Sequence, residues 1–166
     1  MDLLGILSQI MRSSHNSVVY DNKIFMMGGY YPGAYLHDVW SSSDGDTWVQ
    51  VTNEAGWSRR ANPVCLVFNN IIFVMGGKAS GVNFNDIWSS KDGSSWTRVT
   101  SAASWSSCTL CGAVVYHSKM YILGGGGASN HNDVWSSTDG STWTQVTSSV
   151  KYCISRFHHG GRLGMG

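Results

Sequence analysis

Apolar positions along this chain come in short runs that alternate with polar or small residues. That period of two belongs to half-buried β-strands rather than to helices. "SVVY" and "KIFMMGG" are two such runs, separated by Asp21 and Asn22, which reads as a hairpin. "DVWSSS" and "TWVQVT" are two more, separated by "DGD". There Asp44-Gly45 predicts a type I′ turn, because glycine takes positive φ without steric cost. In the last run Trp48 and Gln50 take one face and Val49 and Val51 the other, so the sheet is partly apolar on both sides and needs cover on both. The N-terminal "MDLLGILSQIM" departs from this pattern. Leu3, Leu4, Leu7, Ile10 and Met11 have a helix-like spacing that reads as a short packed segment or a frayed end.

The four-strand pattern recurs. "FMMGG", "FVMGG" and "YILGG" place their first glycines at Gly28, Gly76 and Gly124, 48 residues apart at each step. Asp38, Asp86 and Asp133 precede "VW", "IW" and "VW" at steps of 48 and 47, and Trp48, Trp96 and Trp143 keep the same steps. Repeats of this length point to solenoids or propellers. Four-stranded sheets stacked around an axis supply cover on both faces, each blade packing on its neighbours. A β-sandwich would not repeat so strictly. The expected fold is therefore all-β, a propeller segment of three four-stranded blades plus a partial fourth. Its expected divisions are residues 1–14 as lead-in, 15–61, 62–108 and 109–150 as blades 1 to 3, and 151–166 as a partial fourth repeat. Three blades alone leave two unpaired faces. A fragment of a larger ring is the favoured reading; closure by another copy of the chain and an open arc are the alternatives.

The double glycine after an apolar strand, then "HDVW", "NDIW" or "NDVW", then a tryptophan eight residues on, resembles the Kelch repeat, as found in the central domain of galactose oxidase. The resemblance runs from Arg12 to about His159, with Trp40, Trp88 and Trp135 where the family usually has tyrosine. The turn "S-x-D-G-x-[ST]-W" also looks like a shortened Asp-box, the hairpin signature of sialidase-type propellers. In that family the Asp-box is structural, so the resemblance gives Asp44, Asp92 and Asp139 no chemistry.

Composition narrows the function. Only 13% of the residues are charged, net charge is +1, and Glu54 is the sole glutamate. No basic patch suggests nucleic acid, and the N-terminus reads as neither secretory signal nor membrane span. The compartment stays open, with the cytoplasm slightly favoured. Cys108 and Cys111 form a C-x-x-C without the second ligand pair that zinc needs, so they and Cys65 and Cys153 are read as buried or incidental thiols. No metal or cofactor is assigned.

Arg12, Arg60 and Arg156 share a repeat phase, with Cys108 in copy three; three residues later the phase holds His15, Pro63, Cys111 and His159. The resemblance implies that arginines of this region can line a cup gripping acidic peptides, a role suited to guanidinium forks. The alternative is that each arginine bonds loop carbonyls or a neighbouring blade. The loops "YYPGAYLH", "KASGVNFN" and "GGASNHN" differ between copies while their flanks agree, the usual place for binding. Candidate ligand contacts are thus Arg12, Arg60, Arg156, His15, His159, Tyr31 and Tyr35. The favoured function is a non-catalytic protein- or peptide-binding scaffold. Its rival is a fragment of a carbohydrate-active propeller enzyme: a sugar mutarotase, or a sialidase-like or galactose-oxidase-like protein.

Overall fold

The structure is a computed structural model that describes residues 11–150 apart from residue 128. The described part is all-β. Blade 1 is a sheet of four strands in sequence order: β1 (Asn16–Tyr20), β2 (Lys23–Tyr31), β3 (Ala34–Ser42) and β4 (Val49–Thr52). Blade 2 contains β5 (Val64–Phe68), β6 (Ile71–Met75), β9 (Ile87–Ser90) and β10 (Thr97–Thr100). Between β6 and β9 its chain forms a separate small hairpin, β7 (Lys78–Ala79) with β8 (Val82–Asn83). Blade 3 contains β11 (Gly112–Tyr116), β12 (Lys119–Gly126), β13 (Asn130–Ser137) and β14 (Thr144–Thr147). All the pairings are antiparallel, and the innermost strands β1, β5 and β11 are successive neighbours.

The turns divide differently from the expectation. Type I′ geometry falls between the first two strands of each blade, where Asp21 and Asn22 have φ of 46° and 59° and Tyr20 pairs with Lys23. Asn69-Asn70 and His117-Ser118 repeat it. The Asp-Gly connection is longer. β3 ends at Ser42 and β4 begins at Val49, so Trp48 lies in the turn rather than on the strand. Gly45 alone in that turn has positive φ, 81°. Side chains hold the bend: Asp44 Oδ1 accepts from the amides of Asp46 and Thr47, and Ser42 Oγ accepts from Gly45 N. A carboxylate that satisfies two amides replaces the main-chain turn that a two-residue hairpin would need.

Blades pack through two cores. Tyr20, Phe25, Met27 and Val39 of blade 1 meet Ile72 and Val74 of blade 2. Leu66, Phe68, Phe73, Met75 and Ile87 on the opposite face of blade 2 meet Met120, Ile122 and Trp143 of blade 3. Fully burying such side chains stabilises by roughly 1.5–3 kcal/mol each. The double glycine makes room for the blade connections. A Cβ on Gly77, at φ 91°, would stand 2.8 Å from the Ala61 carbonyl oxygen, and Gly77 N donates to Cys108 O at 2.9 Å.

Candidate functional site

Arg60 precedes β5 on the connection from blade 1, and its side chain has no exposed surface. Nη1 and Nη2 donate to the two carboxylate oxygens of Asp86 at 2.7 and 2.8 Å, Nη1 also reaches Gly76 O, and Nε reaches Ser58 O. Trp88 Nε1 donates to the same carboxylate at 2.8 Å. Burial alone would raise the pKa of Asp86, but hydrogen bonds and charge from Arg60 outweigh it and hold the carboxyl below its usual value. Blade 1 repeats the arrangement. Arg12 meets Asp38 at 2.6 and 2.8 Å and Gly28 O at 3.0 Å, and Trp40 Nε1 completes it at 2.7 Å.

Arg12 and Arg60 are therefore taken out of the ligand cup expected for them. Each clamps the connection to the third strand of its own blade, close to the carbonyl-bonding alternative. A residue type at a repeat phase could not separate the two roles, because the aspartate that decides it lies 26 positions away. Arg156 and His159 lie outside the described residues. Blade 3 has no arginine at this phase: Cys108 stands there and forms a disulfide with Cys111, which corrects the reading of both as thiols. Asp133 keeps only the tryptophan side of the motif, accepting from Trp135 Nε1 at 2.7 Å. Cys65 is free, and burial, partly opposed by the charge of Arg60, pushes its thiol pKa far up.

The turn aspartates are equally committed. Each accepts from the two following amides and from a serine hydroxyl. Backbone hydrogen bonds from Thr47 and Asp46 pull Asp44 down to about 2, and those from Ser95 and Ser94 do the same for Asp92, where slight burial opposes. They are fixed acceptors in a bend that occurs three times.

Two depressions involve the remaining expected residues. At the start of the innermost strands His15, Pro63 and Cys111 share a cavity of about 260 Å³ with Asn16, Asn62 and Leu110. Partial burial and then the nearby charge of Arg12 lower the pKa of His15. A second cavity, of about 210 Å³, sits on blade 1 and is lined by residues including Tyr31, His37, Gln50, Asn53 and Arg59. Arg59 is exposed, with Nη1 3.5 Å from Tyr35 O, and His37 turns Nδ1 toward Trp57 O at 3.3 Å. Tyr31 is exposed beyond it. Tyr35 instead packs edge-on against Tyr30, with ring centroids 5.2 Å apart.

This blade 1 cavity is a departure from the repeat. Blade 2 has Ala79, Phe84 and Ser107 at the phases of Tyr31, Leu36 and Arg59, and the Phe84 ring lies under the Arg60 guanidinium at 4.5 Å. Sequence reading missed Arg59 because it followed positions that agree between copies. The available signal was the contrast of Arg59 with Ser107 beside a loop already marked as variable.

A family model described as the KLHDC2/KLHL20/DRC7 Kelch-repeats domain matches residues 8–163. The chain belongs to this Kelch-repeat family. None of the curated proteins compared with it matches. The double glycines, the Asp-x-Trp strands and the three four-stranded sheets are thus Kelch features, and the Arg–Asp–Trp clamp is how two of these blades tie their connections.

Proposed function

We propose that this Kelch-repeat chain is a non-catalytic scaffold that binds a protein or peptide, with the blade 1 cavity as the contact. The observation that carries this reading is the convergence of Arg59, Gln50, Asn53 and Tyr31 on one concave surface, at phases where blade 2 has Ser107, Arg98, Ser101 and Ala79. A guanidinium fork beside two amide side chains suits an acidic or carboxylate-bearing segment, and Tyr31 offers flat contact area at low entropy cost. Family membership supports a scaffold role. Tyr35 positions Arg59 by accepting from its Nη1, and His15 belongs to the separate depression at the start of the innermost strands.

The test compares capture of acidic peptides with binding on a glycan array. Arg59→Ala and Tyr31→Ala should each weaken peptide capture about tenfold with an unchanged melting temperature, since both side chains are exposed. Binding to glycans without any peptide would sink the scaffold reading and favour the carbohydrate-active alternative.

A further inference from the structure

The chain turns the same corner on its way into each described blade. One residue of the corner exchanges two main-chain hydrogen bonds with the residue that follows the double glycine: Ser13 with Tyr30, Ala61 with Lys78 and Thr109 with Gly126, at 2.7 to 2.9 Å. The next residue is left-handed in every copy, with φ of 57° at Ser14, 49° at Asn62 and 58° at Leu110. Flanking these two positions are Arg12 and His15 in blade 1, Arg60 and Pro63 in blade 2, and Cys108 and Cys111 in blade 3. Of the three corners only the last is bridged by a covalent bond.

Two corners thus form without sulfur, so the main chain and not the disulfide sets the geometry of the third. A bridge over two intervening residues closes a very short loop, the case in which a disulfide constrains the unfolded chain least. The bond can therefore open while the corner stays. Its two sulfurs are not equivalent. Cys108 is 2% exposed and belongs to the core shared by blades 2 and 3, with Met75, Ile87 and Met120. Cys111 is half-buried and lines the depression that also holds His15, Asn16 and Asn62. The charge of Arg12 acts on His15 in that depression, and positive charge favours an approaching thiolate. Cys65, buried with its thiol pKa pushed far up, is no competitor, and Cys153 lies outside the described residues.

We propose that Cys108 and Cys111 form a thiol–disulfide exchange site that takes a dithiol as its co-substrate, with the fold kept in both states. A thiolate of the dithiol attacks Sγ of Cys111, the sulfur on the depression. The Cys108–Cys111 bond breaks, and Cys108 Sγ leaves with the electron pair and takes a proton into the core. The second thiolate of the dithiol then attacks its own sulfur in the mixed disulfide and releases Cys111. Two electrons and two protons pass from the dithiol to the pair, and the dithiol ends as a disulfide. The reverse sequence re-forms the bridge, because the corner holds both cysteines in place.

The test uses the 166-residue chain carrying Cys153→Ser, so that the remaining thiol outside the described residues takes no part. The chain is equilibrated with graded ratios of reduced and oxidised dithiothreitol, acid-quenched and alkylated, and the 108–111 peptide is read by mass spectrometry. The pair should open in one two-electron transition with the strand signature in circular dichroism unchanged, and should close again when oxidised dithiothreitol is restored. Cys108→Ala leaves Cys111 as a thiol on the depression, and Cys111→Ala leaves Cys108 in the core. The first variant should react with an aromatic disulfide reagent at least about tenfold faster than the second. If either alanine variant loses the strand signature, the chain with both cysteines is quenched during reduction by glutathione, and the mixed disulfide should sit on Cys111. A pair that opens only as the strand signature is lost overturns the proposal, as do a bridge that does not re-form, equal reactivity of the two variants, and a mixed disulfide on Cys108.

Discussion

Arg60 lies 2.7 Å from Asp86 across 26 residues of chain, with its guanidinium wholly enclosed and its Nη1 also bound to the Gly76 carbonyl. The pair fastens the entry to blade 2 to its third strand at the point where the double glycine opens the backbone. Arg60→Ala would leave Asp86 with the tryptophan hydrogen bond and no countercharge. The expected loss is about 3–5 kcal/mol, as for other broken buried pairs, measured as a lower urea midpoint. Arg60→Lys should fall between, since an ammonium cannot meet both carboxylate oxygens as a fork.

Acid should act through the aspartates. Asp92 falls to about 2 in the fold and Asp86 also lies below its usual value, whereas unfolded aspartates titrate near 3.9. A depressed folded pKa adds stability above the unfolded value and loses it as pH falls through the folded one. The aspartates' contribution to thermal stability should therefore be flat above about pH 5 and drop progressively toward pH 2. Asp92→Asn, which keeps an acceptor oxygen but not the charge, should reduce that slope.

Two chemically identical substitutions should differ in cost. Gly45 and Gly93 both have φ near 80°, but only Gly93 faces an aromatic ring. Gly45→Ala should cost about 1 kcal/mol for the left-handed backbone alone. Gly93→Ala must in addition displace Phe25, and its melting temperature should fall further.

The disulfide in blade 3 stands where blade 2 has Arg60 and Pro63 and blade 1 has Arg12 and His15. Reduction of Cys108–Cys111 should lower stability by roughly 2 kcal/mol on the loop-entropy view. The double variant Cys108→Arg, Cys111→Pro restores the residues of blade 2 and puts a guanidinium within the phase of Asp133. Its melting temperature should not respond to a dithiol reductant, whereas that of the parent chain should.

The sequence by itself determined the all-β class, the three copies, the order of four strands in each, and the Kelch relationship. Those properties rest on local signals: alternation, paired glycines and turn residues act within a few positions of themselves, and repetition multiplies them. Tertiary structure decided what the phased residues do. Arg12 and Arg60 became clamps because Asp38 and Asp86 come round to meet them, and Arg59 gained its cavity because Leu36, His37, Gln50 and Asn53 come together beside it. The Asp-Gly bend also turned out to be held by side-chain acceptors rather than by a two-residue hairpin, since six positions separate its strands. Contacts between residues far apart in the chain depend on how the blades stack, and no periodicity within one copy specifies that.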